Sequence, residues 1–322
     1  MTIATLDKAL DQISTYNKKA IQRLDCFTFI DLFCGIGGFH QAASQHGGQC
    51  VFASDIDEYA RHAYSLNYEI EPLGDITSVD AKSIPDHDIL FAGFPCQPFS
   101  IIGNRLGFDD IRGTLFFEIV RILEEKKPKA FILENVKQLY THNKGQTLAT
   151  ILENLKNLGY NVQCRVLNAL DYGLPQKRER TIIVGFINKG DGFSFPNPVN
   201  RISLEDILED SVEDKYFVST RIKEKRKAAH KSDYPIAIWH ENKSGNVSSY
   251  PYSCALRAGA SYNYLLVNGE RRLTPREQLR LQGFPDTFEI VCNDGQSRKQ
   301  AGNAVPVPMI AAVLKEVLNE LA

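Results

Sequence analysis

A cysteine flanked by prolines, in Gly93-Phe94-Pro95-Cys96-Gln97-Pro98-Phe99-Ser100, is the residue of this chain best placed for covalent chemistry. It follows an apolar run directly, so it stands at a strand end rather than in a core. A thiolate is a strong nucleophile, but a free thiol titrates near ~8.5 and ionises readily only beside positive or hydrogen-bonding groups. Glu134 closes the next apolar run, and Arg178 and Arg180 lie two apart in Gln176-Lys177-Arg178-Glu179-Arg180. The two arginines share one strand face if the strand begins at 178. Each group also has an ordinary reading: a strand-end carboxylate for Glu134, a solvated charge cluster for the arginines. The polar, glycine-bearing stretch after Cys96, through Asn104, Arg105, Gly107, Asp109 and Arg112, is long enough to act as a lid.

A second kind of chemistry is suggested by Asp31-Leu32-Phe33-Cys34-Gly35-Ile36-Gly37-Gly38-Phe39, where an apolar run meets a glycine-rich turn. Glycines there let a ligand approach the backbone closely. The full Gly-x-Gly-x-x-Gly spacing is missing, so a tight structural turn fits the pattern as well as a nucleotide-like site does. Asp55 ends the following apolar run, where its carboxylate can accept ribose hydroxyls or cap the next helix. Asp75-Ile76 is a third candidate edge of the same pocket.

Positioning these groups requires a particular order of elements. Apolar runs predict strands at Cys26–Phe33, Gln49–Ser54, Ile89–Ala92 and Ala130–Glu134, alternating with helices at Gly37–His46, Asp57–Asn67 and Thr114–Lys126. A helix at Gln146–Leu158 and strands at Val162–Asn168 and Arg180–Ile187 follow. This is the pattern of an α/β fold with a doubly wound, mostly parallel sheet, whose ligands bind at the carboxyl ends of the strands. Residues 189–270 break the alternation and are richer in Pro, Asn, Ser and Lys, which predicts a second, smaller, irregular domain. Helical spacing returns at Val307–Leu321, and residues 6–24 form a weakly amphipathic helix of packing or appendage character.

The 322 residues carry a net charge of −2, which excludes coating of nucleic acid by bulk electrostatics and leaves only local contact. Seven scattered cysteines fit reduced thiols in the cytoplasm, and neither they nor the dispersed histidines have zinc-site spacing, so no metal is expected. No apolar run approaches the ~20 residues of a membrane span, and the first residues lack a secretory pattern.

Taken in order, Pro95-Cys96, Glu134-Asn135-Val136, Gln176-Lys177-Arg178-Glu179-Arg180, Arg272-Leu273-Thr274-Pro275-Arg276-Glu277, Leu281-Gln282-Gly283-Phe284-Pro285 and Gly302-Asn303-Ala304-Val305-Pro306-Val307-Pro308 resemble the cytosine-5 DNA methyltransferase family of bacterial restriction–modification type. The resemblance covers nearly the whole chain. It implies Cys96 as the nucleophile that adds to carbon 6 of cytosine, Glu134 as the acid at ring nitrogen 3 and Arg180 as the cation at the exocyclic oxygen, with Arg178 a further catalytic candidate. It also implies S-adenosylmethionine across the glycine turn, lined by Phe33, Gly35, Gly37 and Gly38. Asp55 then meets the ribose, Ile56, Asp75 and Ile76 lie towards the adenine, and Pro95, Leu115, Asn303 and Val305 complete the pocket. Relatives often carry Glu and a large aromatic where this chain has Asp55-Ile56, a departure that weakens the expected stacking. The C-terminal motif implies a discontinuous catalytic domain, 1–188 plus 296–322, with 189–295 as target-recognition domain and hinge.

In such a family the target base leaves the stack of double-stranded DNA. Gln97, Ser100 and Asn104 are candidates for filling the gap, and Lys243 and Arg257 for reading bases, within a segment that also holds Trp239, His240, Asn242, Ser244 and Tyr262. The basic run Arg221–Lys231 either contacts phosphates or is a solvated helix face. A monomer is expected, since a palindrome can be methylated one strand at a time, and a cognate restriction endonuclease shares the target without having to bind. Rival readings are a cytosine-5 tRNA methyltransferase, a catalytically silent DNA-binding relative and a nicotinamide dehydrogenase. The long segment between 188 and 272 favours DNA over tRNA, intact Cys96, Glu134 and Arg180 favour an enzyme, and a dehydrogenase has no use for Pro95-Cys96.

Overall fold

The computed structural model describes residues 26–95 and 115–322. The helix expected at 6–24, together with Cys96, Gln97, Ser100 and Asn104, lies outside the described residues.

Strands β1 (Thr28–Leu32), β2 (Gln49–Ser54), β3 (Ile89–Gly93), β4 (Ala130–Val136), β5 (Tyr160–Asn168) and β7 (Glu179–Ile187) form one sheet in the order β2-β1-β3-β4-β7-β5. The first four are parallel, as expected. β7 runs antiparallel to both of its neighbours, β4 and β5. Because β5 and β7 follow each other with only a short excursion between them, they pair as antiparallel neighbours, and β7 is thereby reversed beside β4.

Both faces of the sheet are covered, so its strands are apolar throughout and their residues alternate between two cores. Phe29, Ile89, Phe91, Ile132, Ile182 and Val184 face one core. Ile30, Leu32, Leu90, Ala92, Phe131, Leu133 and Ile183 face the other. The second core is closed by α3 (Leu115–Lys126), through Phe116, Ile119, Ile122 and Leu123, and by α4 (Gln146–Asn157), through Leu148, Ile151 and Leu155. α1 (Gly38–Ser44) lies over the first core, and α2 (Glu58–Tyr68) follows β2. The final helix, α8 (Val307–Leu321), packs on α1 and buries Val307, Met309, Ile310, Val313, Leu314 and Val317. Its apolar stripe is therefore spent on the protein interior.

Beyond β7 the chain makes a short helix α5 (Thr220–Ala229) and a small antiparallel sheet, β11-β8-β9, from β8 (Ile238–Glu241), β9 (Val247–Tyr250) and β11 (Leu265–Val267). Two two-residue strands, β6 (Gln176–Lys177) and β10 (Ser253–Cys254), pair in parallel. Ile238, Leu265 and Val267 of the small sheet belong to the same continuous apolar cluster as Phe29 and Val184 of the large one.

Two helices in the returning segment were read from sequence only as family motifs. In α6 (Pro275–Gln282), Thr274 caps the Glu277 N–H and the Glu277 side chain returns to the Thr274 N–H, with Pro275 in the first turn. Gly283 closes that helix at φ 83°. α7 (Asp294–Asn303) begins under the Asn293 cap, so the expected boundary at 295/296 falls inside its first turn.

Gly185 of β7 sits opposite Phe131 of β4, where an added Cβ meets the Phe131 ring at 2.1 Å. Gly185→Ala is expected to lower stability by about 1–3 kcal/mol through overpacking, read from urea unfolding midpoints.

Candidate active site

The carboxyl ends of β1 to β4 and the amino end of the reversed β7 meet at one edge of the sheet. There they line a cleft of about 550 Å³, a volume suited to a cofactor-sized ligand.

β1 leads into the glycine turn through two residues in the left-handed region, Phe33 at φ 56° and Gly35 at φ 55°. The glycines have separate duties. A Cβ on Gly35 meets nothing within 4 Å, so that backbone faces open space in the cleft. A Cβ on Gly38 strikes Val305 at 2.7 Å, and one on Gly37 strikes the Tyr68 ring at 2.2 Å. Gly37 alone of the expected cofactor residues stands off the lining, because it is used to let Tyr68 pack and donate to its carbonyl at 3.0 Å.

Asp55, after β2, braces this turn: Oδ2 accepts the Gly35 N–H and Oδ1 the Asp57 N–H, both at 2.8 Å. Burial raises its pKa, partly countered by those two bonds. Each oxygen keeps a second lone pair for a ligand hydroxyl. Ile56 is 76% exposed beside it, while Asp75 caps a short turn through Thr77 and leads into buried Ile76. Phe33, Gly38, Asp55, Ile56, Asp75, Ile76, Pro95, Leu115, Asn303 and Val305 all line the one cleft. So does Lys299, which sequence reading missed; its ammonium lies 2.6 Å from Asp57 and ties α7 to the start of α2. A residue 242 positions away gave no sequence signal.

Glu134 and Arg180 form the polar centre. Val136 pairs directly with Arg180, and Glu134 with Ile182. Arg180 therefore reaches diagonally across one sheet face to Glu134, with Nε 2.6 Å from Oε1. Both side chains are largely shielded, at 14% and 11% exposure. Gly93 lies beneath them, its Cβ position 3.7 Å from Glu134 Oε2. Asn135 donates to the Phe94 carbonyl at 3.0 Å while its own oxygen accepts the Val136 N–H, which fixes the backbone just before Pro95 and Cys96.

Arg178 does not continue β7 with Arg180, because the strand starts at Glu179. Its buried guanidinium turns to the returning chain, donating to the carbonyls of Leu256 at 2.9 Å, Gly302 at 2.9 Å and Ala304 at 2.8 Å. Burial and the neighbouring Arg180 push its pKa down. The three carbonyls offset that penalty. Gln176 extends the network, donating to Leu281 O and accepting from the Leu256 N–H. Among the expected catalytic residues, Arg178 is thus committed to holding the walls of the cleft.

Cys34 is a second thiol in the lining, but burial, with Asp31 and Asp55 nearby, pushes its pKa well up. It is held as a neutral thiol and makes a poor nucleophile. Cys96, following Pro95, lies outside the described residues.

A family model described as "C-5 cytosine-specific DNA methylase" matches residues 27–319. This chain belongs to that family. The Type II methyltransferase M.NgoBI of Neisseria gonorrhoeae is 58% identical over 290 residues, 89% of this chain and 91% of the relative. The Type II methyltransferase M.HaeII of Haemophilus aegyptius is 56% identical, covering 91% of this chain and 93% of the relative. Among solved structures, a DNMT2 mutant of Spodoptera frugiperda superposes with a TM-score of 0.72 at 22% identity, over 90% of this chain and 99% of its own. The methyltransferase EhMeth of Entamoeba histolytica gives 0.71 at 19% identity, over 92% and 99%. These structures share the fold. The protein is a DNA (cytosine-5-)-methyltransferase.

For this methyltransferase the expected DNA-reading residues fall in different settings. Arg257 lines the cleft, with its guanidinium 4.8 Å from the Tyr264 ring centroid. Lys243 lies exposed in the turn between β8 and β9, where Asn242 Oδ1 accepts the N–H groups of Ser244 and Asn246. Trp239 is buried against His230 and Gly269. Much of the basic helix is already paired: Lys223 and Lys227 share Glu270, and Arg226, 2% exposed, bonds Glu241 and the Asn263 carbonyl. α5 thus braces the small sheet.

Replacing Arg178 by Met leaves the interior carbonyls of Leu256 and Gly302 unpaired, each worth about 1–3 kcal/mol, while Ala304 keeps only its bond from Gln282. Arg178→Met should cost about 3 kcal/mol or more in urea unfolding, while Asp75→Asn at the exposed rim stays within about 0.5 kcal/mol.

Proposed function

We propose that the enzyme methylates a flipped-out cytosine within a short specific sequence of double-stranded DNA, with S-adenosylmethionine as methyl donor and Cys96 as covalent nucleophile. The observation that carries this reading is the Glu134–Arg180 pair, set in the same cleft as the glycine turn and beside the strand that leads into Cys96.

The cleft suits the donor. Space over Gly35, the free lone pairs of Asp55, the exposed apolar surface of Ile56 and the close approach of Gly38 to Val305 together make a cradle for a nucleoside. Phe33, Asp75, Ile76, Pro95, Leu115 and Asn303 complete it, with Gly37 supporting from behind. When bound, the sulfonium supplies an electrophilic methyl group.

Cytosine carbon 5 is too electron-poor to accept that methyl directly. Addition of the Cys96 thiolate to carbon 6 turns the ring into an enamine that is nucleophilic at carbon 5. A proton shared between Glu134 and ring nitrogen 3 disperses the charge that builds on the ring, and Arg180 stabilises the exocyclic oxygen while orienting Glu134. Arg178 acts as a positioning residue. After transfer, loss of the carbon 5 proton to a loop-bound water expels Cys96 and restores the aromatic ring.

Gln97, Ser100 and Asn104 are proposed to fill the space left by the flipped base, and Lys243 and Arg257 to contact DNA. The division into 1–188 plus 296–322 and 189–295 then separates chemistry from recognition. A cytoplasmic monomer, the protective half of a restriction–modification pair, fits this layout; the cognate endonuclease shares the target site only. Similarity to Type II methyltransferases at 58% and 56% identity supports DNA over tRNA as the substrate.

Labelled S-adenosylmethionine offered with plasmid DNA and bulk tRNA should place label in DNA, as 5-methylcytosine at one short motif; label confined to tRNA would refute the reading. Cys96→Ser should abolish turnover and retain DNA binding in a gel-shift assay. Arg180→Ala should reduce the single-turnover methylation rate by roughly 10²–10³-fold with a much smaller change in cofactor affinity.

A further inference from the structure

Beside the catalytic pair, three side chains from separate segments converge on one polar corner. Arg257 is exposed and lines the cleft that holds Glu134 and Arg180. Tyr264 fixes it twice: the Tyr264 hydroxyl accepts the Arg257 backbone N–H at 2.9 Å, and the Tyr264 ring lies under the guanidinium. Stacking of this kind holds a cation in place while leaving its edge free to donate. Among the described residues, that guanidinium donates to no protein acceptor, unlike Arg178 and Arg226.

His240 lies against the same ring, edge-on, with centroids 6.3 Å apart at 85°. Side chains alternate along β8, so His240 shares the face of Ile238, while Trp239 and Glu241 point towards α5. Across β9, Ser248 pairs with His240 and Tyr250 with Ile238, which puts both on that face. The His240 ring has no hydrogen-bond partner among the described residues and is only half-buried. Burial first, then Arg257 and Arg226, lowers its pKa, so near neutrality it offers one donor and one acceptor.

We propose that Arg257 and His240, set by Tyr264, are specificity-determining residues: Arg257 reads a guanine through its O6 and N7 edge, and His240 reads an adjacent base pair. The chemistry is that of the major groove, where a pre-set guanidinium matches the two guanine acceptors and a neutral imidazole matches a single base-edge group. Lys243, at a hairpin tip and without a fixing contact among the described residues, is not needed for either role. This inference rests on the DNA-methylating reading and refines which residues select the sequence.

The test uses the full chain and a pool of duplexes randomised on both sides of one cytosine, with modified molecules identified by bisulfite sequencing. Wild-type enzyme should return one consensus that contains a guanine; if it modifies no duplex at all, the methylation reading has failed, a result distinct from those below. Arg257→Gln should lose preference for that guanine by about tenfold to a hundredfold and keep the remaining preferences. His240→Ala should relax one different, neighbouring position. Where a variant turns over too slowly, competition of the same pool for binding gives the same readout, and a melting curve confirms that it folds. Arg257→Lys, which keeps the charge but loses the two-pronged donor, should weaken the guanine preference in part. Wild-type preference at every position in Arg257→Gln or in His240→Ala, whatever its rate, overturns the assignment of that residue.

Discussion

The architecture depends on one buried cation. Arg178 is enclosed by the carbonyls of Leu256, Gly302 and Ala304, which lie 78, 124 and 126 residues further along the chain. A guanidinium without such partners is too costly to bury, and buried carbonyls left without a donor, as those of Leu256 and Gly302 would be, are costly as well, so each side of the contact enforces the other. Gln176 and Gln282 reinforce the joint, with Gln282 donating to the carbonyls of Ala301 and Ala304. The joint sets two things at once. It fixes the wall that carries Asn303 and Val305, and it anchors the segment that presents Arg257.

The second constraint is the reversed β7. In a purely parallel sheet, a residue at the start of a strand lies at the edge opposite the ligand. Reversal brings the start of β7 to the carboxyl edge, where Arg180 can reach Glu134. The Glu134–Arg180 pair is thus a product of topology: the carboxylate comes from the end of one strand and the cation from the beginning of its antiparallel neighbour. The turn after β1 is built on similar economy. Gly35 leaves space for a ligand, whereas Gly37 and Gly38 admit Tyr68 and Val305, so adjacent glycines serve binding and packing separately.

Much of this was legible in the sequence because strands covered on both faces are uniformly apolar and their helices have clear spacing. The strand and helix spans from 26 to 188 agree with the structure closely, and the order of motifs was enough to give the family. Direction was not legible, since the alternation of Arg180–Ile187 is the same whichever way the strand runs beside β4. Nor were the partners of Arg178: a buried arginine and a solvated one look alike in sequence, and backbone carbonyls leave no sequence signal. The basic run Arg221–Lys231 was ambiguous for a related reason, as Glu241 and Glu270, which neutralise much of it, are remote in sequence. α6 had an explicit start and stop in Thr274-Pro275-Arg276-Glu277 and Gly283, which the family resemblance obscured by offering another reason for those residues.

The Arg178 joint also bears on when the enzyme comes into being. Two of its three carbonyl partners, those of Gly302 and Ala304, follow Arg178 by 124 and 126 residues, and α8, which covers α1, comes after them. During synthesis the chain leaves the ribosome at roughly 5–20 residues per second, so the early strands are exposed for many seconds before the segment that completes the cleft arrives. The frame is therefore completed only once residues 302–321 have emerged, rather than gradually as the strands appear. A nascent chain, or one truncated before residue 302, carries Glu134, Arg180 and the glycine turn without the frame that encloses them.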